Sequence, residues 1–253
     1  MNKLFEIPQT AEHLRYISHR GFQPLAPENS LPSFRYAGYL RQWAIETDVR
    51  MTRDGVLVCC HNASTTYFNE DLPVAESSWA DLVKLRIRAG ERLKCFTDED
   101  LRLPLFEEYL TICRHFGSIP FIELKTGDAE AVMEAVCRAG FAEDEAVMSS
   151  VCLEWLEDVR RISGNVFIHW IFAKENGLKK LASLGNAGIS WNIPDPFECS
   201  PDKISHAKEM GLKVCLRAGD SVENVRRMLD LGLDYIPTNC MHGTLMCSAS
   251  GEI

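Results

Sequence analysis

With 253 residues, 46% of them apolar and 25% charged, the chain can bury one large core, and a closed α/β barrel of this size forms as a single domain. A net charge of -9 excludes a nucleic-acid or anionic-membrane surface as the main partner, since both need a basic field; a small phosphorylated ligand needs only local positive charge. Residues 1–14 carry Glu6, Glu12 and Pro8 and no apolar run, so neither a signal peptide nor, further on, a membrane anchor is expected. The ten cysteines form no CxxC pair and most fall in apolar runs; they read as small buried hydrophobes in a cytoplasmic protein.

In chain order, β-rich apolar runs at 15–18, 44–49, 119–124, 146–150, 166–171, 188–191, 213–217 and 234–237 predict strands. Amphipathic stretches at 30–41, 105–116, 128–138, 153–162, 201–210 and 221–231 predict helices between them. Gly140, Gly211 and Gly232 mark helix ends, while Asp128, Asp202 and Ser221 are expected as caps or first-turn acids. Eight strands alternating with helices predict a parallel α/β fold, and the count fits a closed (β/α)8 barrel; an open doubly wound sheet has the same local pattern. About seventy residues separate the second and third strands, so an insertion or lid is expected at about 62–100 within a single domain, 1–253.

In a parallel barrel, groups at the C-terminal ends of strands meet on one face. The first strand ends in Ser18-His19-Arg20-Gly21, the second carries Glu46-Thr47-Asp48, and the third carries Glu123-Leu124-Lys125. Alternation puts Glu46 with Asp48 on one face, and Glu123 with Lys125 likewise. So many charges cannot be buried unpaired, and the cluster calls for an ion or ligand. Asp54-Gly55 predicts a two-residue hairpin turn, which returns His61 beside position 48, or beside 46 after a slip of two.

His19-Arg20-Gly21, Pro27-Glu28-Asn29-Ser30, Glu46-Thr47-Asp48-Val49, Thr52-Arg53-Asp54-Gly55, His61 and Glu123-Leu124-Lys125, in that order, resemble the signature of glycerophosphodiester phosphodiesterases. Leu103 to Glu108 and Gly232 to Thr238 resemble further family segments, so the likeness runs over residues 15–239. The resemblance implies a TIM (β/α)8 barrel with a small insertion after the second strand. It implies one divalent cation, Mg²⁺ or Ca²⁺, held by Glu46, Asp48 and Glu123, with His19 and His61 as the acid–base pair. Arg20 and Lys125 would balance phosphate charge, and Glu28 would reach the site. The implied reaction is hydrolysis of a small-molecule glycerophosphodiester to an alcohol and sn-glycerol 3-phosphate. Its rivals are a cyclising lyase like the sphingomyelinase D toxins and a non-catalytic metal- or phosphate-binding barrel. The oligomeric state has no signature.

Three places depart from the family pattern, one of them the end of the last strand, Thr238-Asn239, where the family often has Thr-Asp, which reads as a structural difference. Asn62 follows the second histidine where Asp is usual, and Arg217-Ala218-Gly219-Asp220 replaces an aromatic motif after the seventh strand. Arg217 is therefore expected to offer a cation for a substrate with an additional anionic group. Elsewhere, His169 reads as a core histidine and His13, His115, His206 and His242 as surface residues. Trp155, Trp170 and Trp191 read as packing, while Phe22, Tyr67, Phe68 and Trp79 are candidates to touch a substrate tail.

Overall fold

The computed structural model describes residues 3–6 and 14–240. His13, His242, Cys247 and the tail beyond Cys240 lie outside them. The strands are β1 (Tyr16–Ser18), β2 (Ala44–Met51), β3 (Leu57–Cys59), β4 (Ile119–Leu124), β5 (Val147–Ser150), β6 (Phe167–Trp170), β7 (Ala187–Trp191), β8 (Lys213–Leu216) and β9 (Ile236–Pro237). The α-helices are α1 (Leu31–Tyr39), α2 (Trp79–Leu82), α3 (Phe106–Phe116), α4 (Ala129–Arg138), α5 (Leu153–Ile162), α6 (Leu178–Leu184), α7 (Pro201–Glu209) and α8 (Val222–Asp230). No helix among the described residues is long and apolar enough to cross a membrane.

The chain divides into two compact units, one from Ser18–Phe141 and the other from the flanking segments. In the flanking unit β5, β6, β7 and β8 pair in parallel sequence, and β1 pairs with β9. The expected caps form: Asp128 accepts from the Ala131 amide and Ser221 from the Asn224 amide, and Gly140, Gly211 and Gly232 follow their helices at positive φ. Helix α6 has no counterpart among the sequence-predicted helices. It is short, and only Leu178 and Leu181 are buried along it, too few to show a helical period.

In the Ser18–Phe141 unit, β2 runs parallel to β4 with Asp48 opposite Glu123. Pro120 on β4 has no amide hydrogen to give the ladder. The fully buried Tyr109 of α3 spans that gap, its hydroxyl donating to Ile45 O at 2.7 Å and accepting from Phe121 N at 3.0 Å. Its ring thus holds the two carboxylate-bearing strands in register.

The hairpin after β2 differs from the expected one. Val49 pairs with Cys59 and Met51 with Leu57, so the loop holds three residues, 53–55, with Gly55 at φ +81. Thr52 closes it through Thr52 N to Val56 O at 2.9 Å and Val56 N to Thr52 Oγ1 at 3.0 Å. The three-residue loop moves the register by one, with Val49 opposite Cys59 and Cys60 N bonding Asp48 O at 2.9 Å.

Residues 62–100 are folded rather than slack. Val74, Leu82 and Leu85 form a small core with Val58, Cys60 and Leu103, against which Phe68 and Trp79 pack. Arg35 pairs with Asp100, and Gly90 lies close against Pro27. The nine described cysteines are unpaired, and six of them are buried.

Candidate active site

The site is assembled within the Ser18–Phe141 unit from three strand ends and two turns. Because β2 and β4 are parallel and in register, Glu46, Asp48 and Glu123 converge, each offering an oxygen within 4.8 Å of the others, and all three are buried. Burial first, and then the charges of Asp48 and Glu123, pushes the Glu46 carboxyl well above the usual carboxylate range. Burial and then Asp48 raise Glu123 to about 7, against the pull of Lys125, whose Nζ stands 2.5 Å from Glu123 Oε1. Asp48 Oδ1 accepts no hydrogen bond, although Lys125 Nζ is 3.4 Å away. Three crowded carboxyls that disfavour one another's ionised form, with a buried oxygen that accepts no hydrogen bond, are poorly settled by the protein alone, and hard oxygen donors of this kind fit a divalent cation.

The turn after β1 wraps this cluster. Arg20 adopts φ +56, which aims its amide at Glu46 Oε2 (2.7 Å) while Nε lies 3.4 Å from Asp48 Oδ2. Glu28 steadies the same guanidinium, with Arg20 Nη1 3.1 Å from both its oxygens. Gly21 follows at φ +75, donating to Glu46 O at 3.1 Å; a Cβ there would stand 2.3 Å from Ser33 Oγ. Ser30 caps α1 through a reciprocal box with Ser33, which anchors the Pro27-to-Ser30 turn beside the cluster.

The histidines sit at the edge. His19 is half-buried, its Nδ1 3.1 Å from Gln23 Nε2. His61 is half-buried too, with Nδ1 2.9 Å from Asn62 Oδ1 and its main-chain oxygen held by Arg50 at 2.7 Å. Burial lowers the His61 pKa; Asp48 pulls it up, while Arg20 and Lys125 push it down.

Residues 19–242 match the model described as the glycerophosphoryl diester phosphodiesterase family. The chain belongs to that family. It is 27% identical over 136 residues to mouse glycerophosphodiester phosphodiesterase 1, a match covering 53% of this chain and 40% of the mouse protein. The chain thus spans less than half the length of the curated relatives it matches first. A glycerophosphodiester phosphodiesterase structure from Agrobacterium tumefaciens superposes with a TM-score of 0.76 at 22% identity, covering 93% of this chain and 100% of that one. A phosphodiesterase from Oleispira antarctica, solved with the product sn-glycerol-3-phosphate, gives a TM-score of 0.77 at 21% identity, covering 91% of this chain and 96% of that one. The fold is therefore the TIM (β/α)8 barrel of these phosphodiesterases, with β3 and its insertion following the second strand.

Of the residues singled out from sequence, His19, Arg20, Glu28, Glu46, Asp48, His61, Glu123 and Lys125 all fall in the one unit. Arg217 is exposed just after β8, in the other unit. Phe22 is fully buried, Phe68 and Trp79 are partly buried against the insertion core, and Tyr67 is exposed. His169 is a core residue, and His115 and His206 are exposed. Sequence reasoning gave no role to Asn29 or Gln23. Asn29, at φ +46, donates to Asp48 Oδ2 at 2.9 Å and accepts from Thr47 Oγ1 at 2.8 Å, pinning the Asp48 carboxylate. Its place in Pro27-Glu28-Asn29-Ser30 was the available signal; Gln23 carried none.

Proposed function

We propose that this chain hydrolyses a glycerophosphodiester to an alcohol and sn-glycerol 3-phosphate. The observation that carries the reading is the convergence of three buried carboxylates with Arg20, Lys125 and two edge imidazoles. Glu46, Asp48 and Glu123 would hold one divalent cation, Mg²⁺ or Ca²⁺, which when bound supplies Lewis-acid polarisation of a phosphoryl oxygen. Arg20, steadied by Glu28, and Lys125 place fixed positive charge where phosphate oxygens gather negative charge in the transition state. His19 and His61 handle the protons of the attacking and departing oxygens. The product found with the Oleispira antarctica phosphodiesterase supports the glycerol phosphate half of the substrate.

Purified protein assayed on glycerophosphocholine, glycerophosphoethanolamine, glycerophosphoglycerol and glycerophosphoinositol phosphate should release sn-glycerol 3-phosphate with Mg²⁺ or Ca²⁺. EDTA should stop it, and His19→Ala should lower kcat by about 10²–10⁴-fold. A wild type silent on the whole panel with Mg²⁺, Ca²⁺ and Mn²⁺ would overturn the reading in favour of a binding barrel. A cyclic phosphate as the final phosphorus NMR species would mark a cyclising lyase instead.

A further inference from the structure

The two chain segments that bring His61 and Lys125 to the site are joined by one side chain. Arg50 follows Glu46 and Asp48 at every second residue of β2, so alternation puts it on their face of the strand. Rather than pairing with a carboxylate there, its guanidinium engages main-chain oxygens. Nη2 and Nε donate to His61 O at 2.7 and 3.2 Å, and Nη1 donates to Lys125 O at 3.5 Å. Guanidinium nitrogens only donate and carbonyl oxygens only accept, so the direction of all three bonds is fixed. The two acceptors differ in how else they are held. Lys125 has a second main-chain tether, its amide donating to Val49 O at 2.9 Å. On the other side of β2 the antiparallel pairing reaches Cys60 N, which bonds Asp48 O at 2.9 Å, and His61 lies one residue beyond it. The forked pair of bonds from Arg50 extends the strand's hold to His61.

We infer that Arg50 is a positioning residue, a clamp that fixes the His61 main chain against β2 and the end of β4 and so sets where the imidazole stands. The clamp rests on geometry alone; its use in catalysis rests on the phosphodiesterase reading. A planar, forked donor restrains its acceptor in both distance and direction, whereas an ammonium is a point charge free to swing about the oxygen. The His61 ring meets Asn62 Oδ1 at 2.9 Å, but Asn62 is the next residue of the same segment, so that contact moves with the segment and cannot anchor it. Arg50 instead ties the segment to the strands that bear Glu46, Asp48 and Glu123. A shift on the order of 1 Å at a proton-handling ring costs about 10²-fold in rate. Lys125, tethered twice, keeps its place when the clamp is lost, so phosphate charge is still met. Loss of Arg50 therefore falls on turnover rather than on substrate binding.

The test compares Arg50→Lys, which keeps the charge, and Arg50→Gln, which does not, with the wild type, each as full-length protein with Mg²⁺. Both variants should lose kcat by about 10–10²-fold while KM stays within about threefold. In ¹³C-histidine-labelled protein the ¹H–¹³C signal of the His61 ring, identified by its loss in His61→Asn, should be single in the wild type. In both variants it should shift, broaden or double, with the His19 signal unmoved. A loss carried by KM, or wild-type kcat in Arg50→Lys, would show that Arg50 acts on the substrate through its charge and would overturn the inference. An unmoved His61 signal would overturn it as well. Should Arg50→Gln not fold, Arg50→Lys decides alone. A displaced His61 signal in a protein whose wild type is silent on every diester would support the clamp and sink the phosphodiesterase reading; an unmoved signal in an active protein would do the reverse.

Discussion

Two buried polar clusters on parallel strands, one in each compact unit, end up with opposite characters. In the flanking unit, His169 is enclosed on β6, its Nδ1 2.5 Å from Tyr235 Oη, Nε2 3.3 Å from Ser190 Oγ and Cys215 Sγ 4.0 Å from Nε2. Its neighbours are neutral and complete its hydrogen bonding. In the Ser18–Phe141 unit, Glu46, Asp48 and Glu123 are as deeply buried but face one another with like charge. Burial of polar groups does not by itself mark a site. What marks it is that the surrounding residues leave the cluster unsettled, so that something from outside can settle it.

The largest effect that can break this contrast is expected from Glu46→Gln. It keeps an acceptor for the Arg20 amide but removes a carboxyl whose ionisation is opposed by burial, Asp48 and Glu123. Diester hydrolysis should fall by at least ~10²-fold, and calorimetric titration should show weakened divalent-cation binding. The melting temperature in EDTA at alkaline pH, where ionising Glu46 costs stability, should nevertheless rise, by ~2–4 °C for each kcal/mol of repulsion relieved. A variant less stable than wild type in EDTA would show that the carboxylates are settled after all.

His169→Leu is expected to do the opposite. It strips Tyr235 Oη of a buried partner, so urea unfolding should show a loss of about 1–3 kcal/mol, with kcat of the folded enzyme unchanged within about twofold. A large fall in kcat would move His169 from structure into function.

The smallest effects are the pH slopes of stability in EDTA, which should have opposite signs. Burial pushes the His169 pKa down to about 3, so between there and its ordinary 6.5 the unfolded chain binds the proton that the folded one refuses. Its contribution is lost as pH falls through that window. Glu123 is raised to about 7 from 4.5, so the folded chain keeps a proton that the unfolded chain releases. Its contribution is lost as pH rises through that window. Urea midpoints across pH should lose the acid slope in His169→Leu and the neutral slope in Glu123→Gln; either slope persisting in its own variant would count against the assigned group.

Much of this contrast was readable before folding was considered. Period-two alternation put Glu46 and Asp48 on one face, and the strand-end position of His19 and Arg20 placed them at the same mouth. The hairpin return of His61 was readable too, but its register was not, since the Thr52 side chain closes a three-residue loop where Asp54-Gly55 alone suggested two. Gln23 was silent as sequence, and Asn29 stood out only as part of the Pro27-to-Ser30 motif, because their importance lies in which atom they offer to whom. Helix α6 was missed because two buried leucines do not make a period.

The eight parallel strands and the longer helices between them, the family and the residue types that carry charge were determined by the sequence alone, because apolar periodicity and motif order are local or linear properties of the chain. The register of the hairpin that returns His61, the placing of Asn29 on the Asp48 carboxylate and the crowding of Glu46 and Asp48 against Glu123 were decided only by tertiary structure. The physical reason is that desolvation and hydrogen bonding depend on what surrounds an atom in space, and here those surroundings come from segments far apart along the chain.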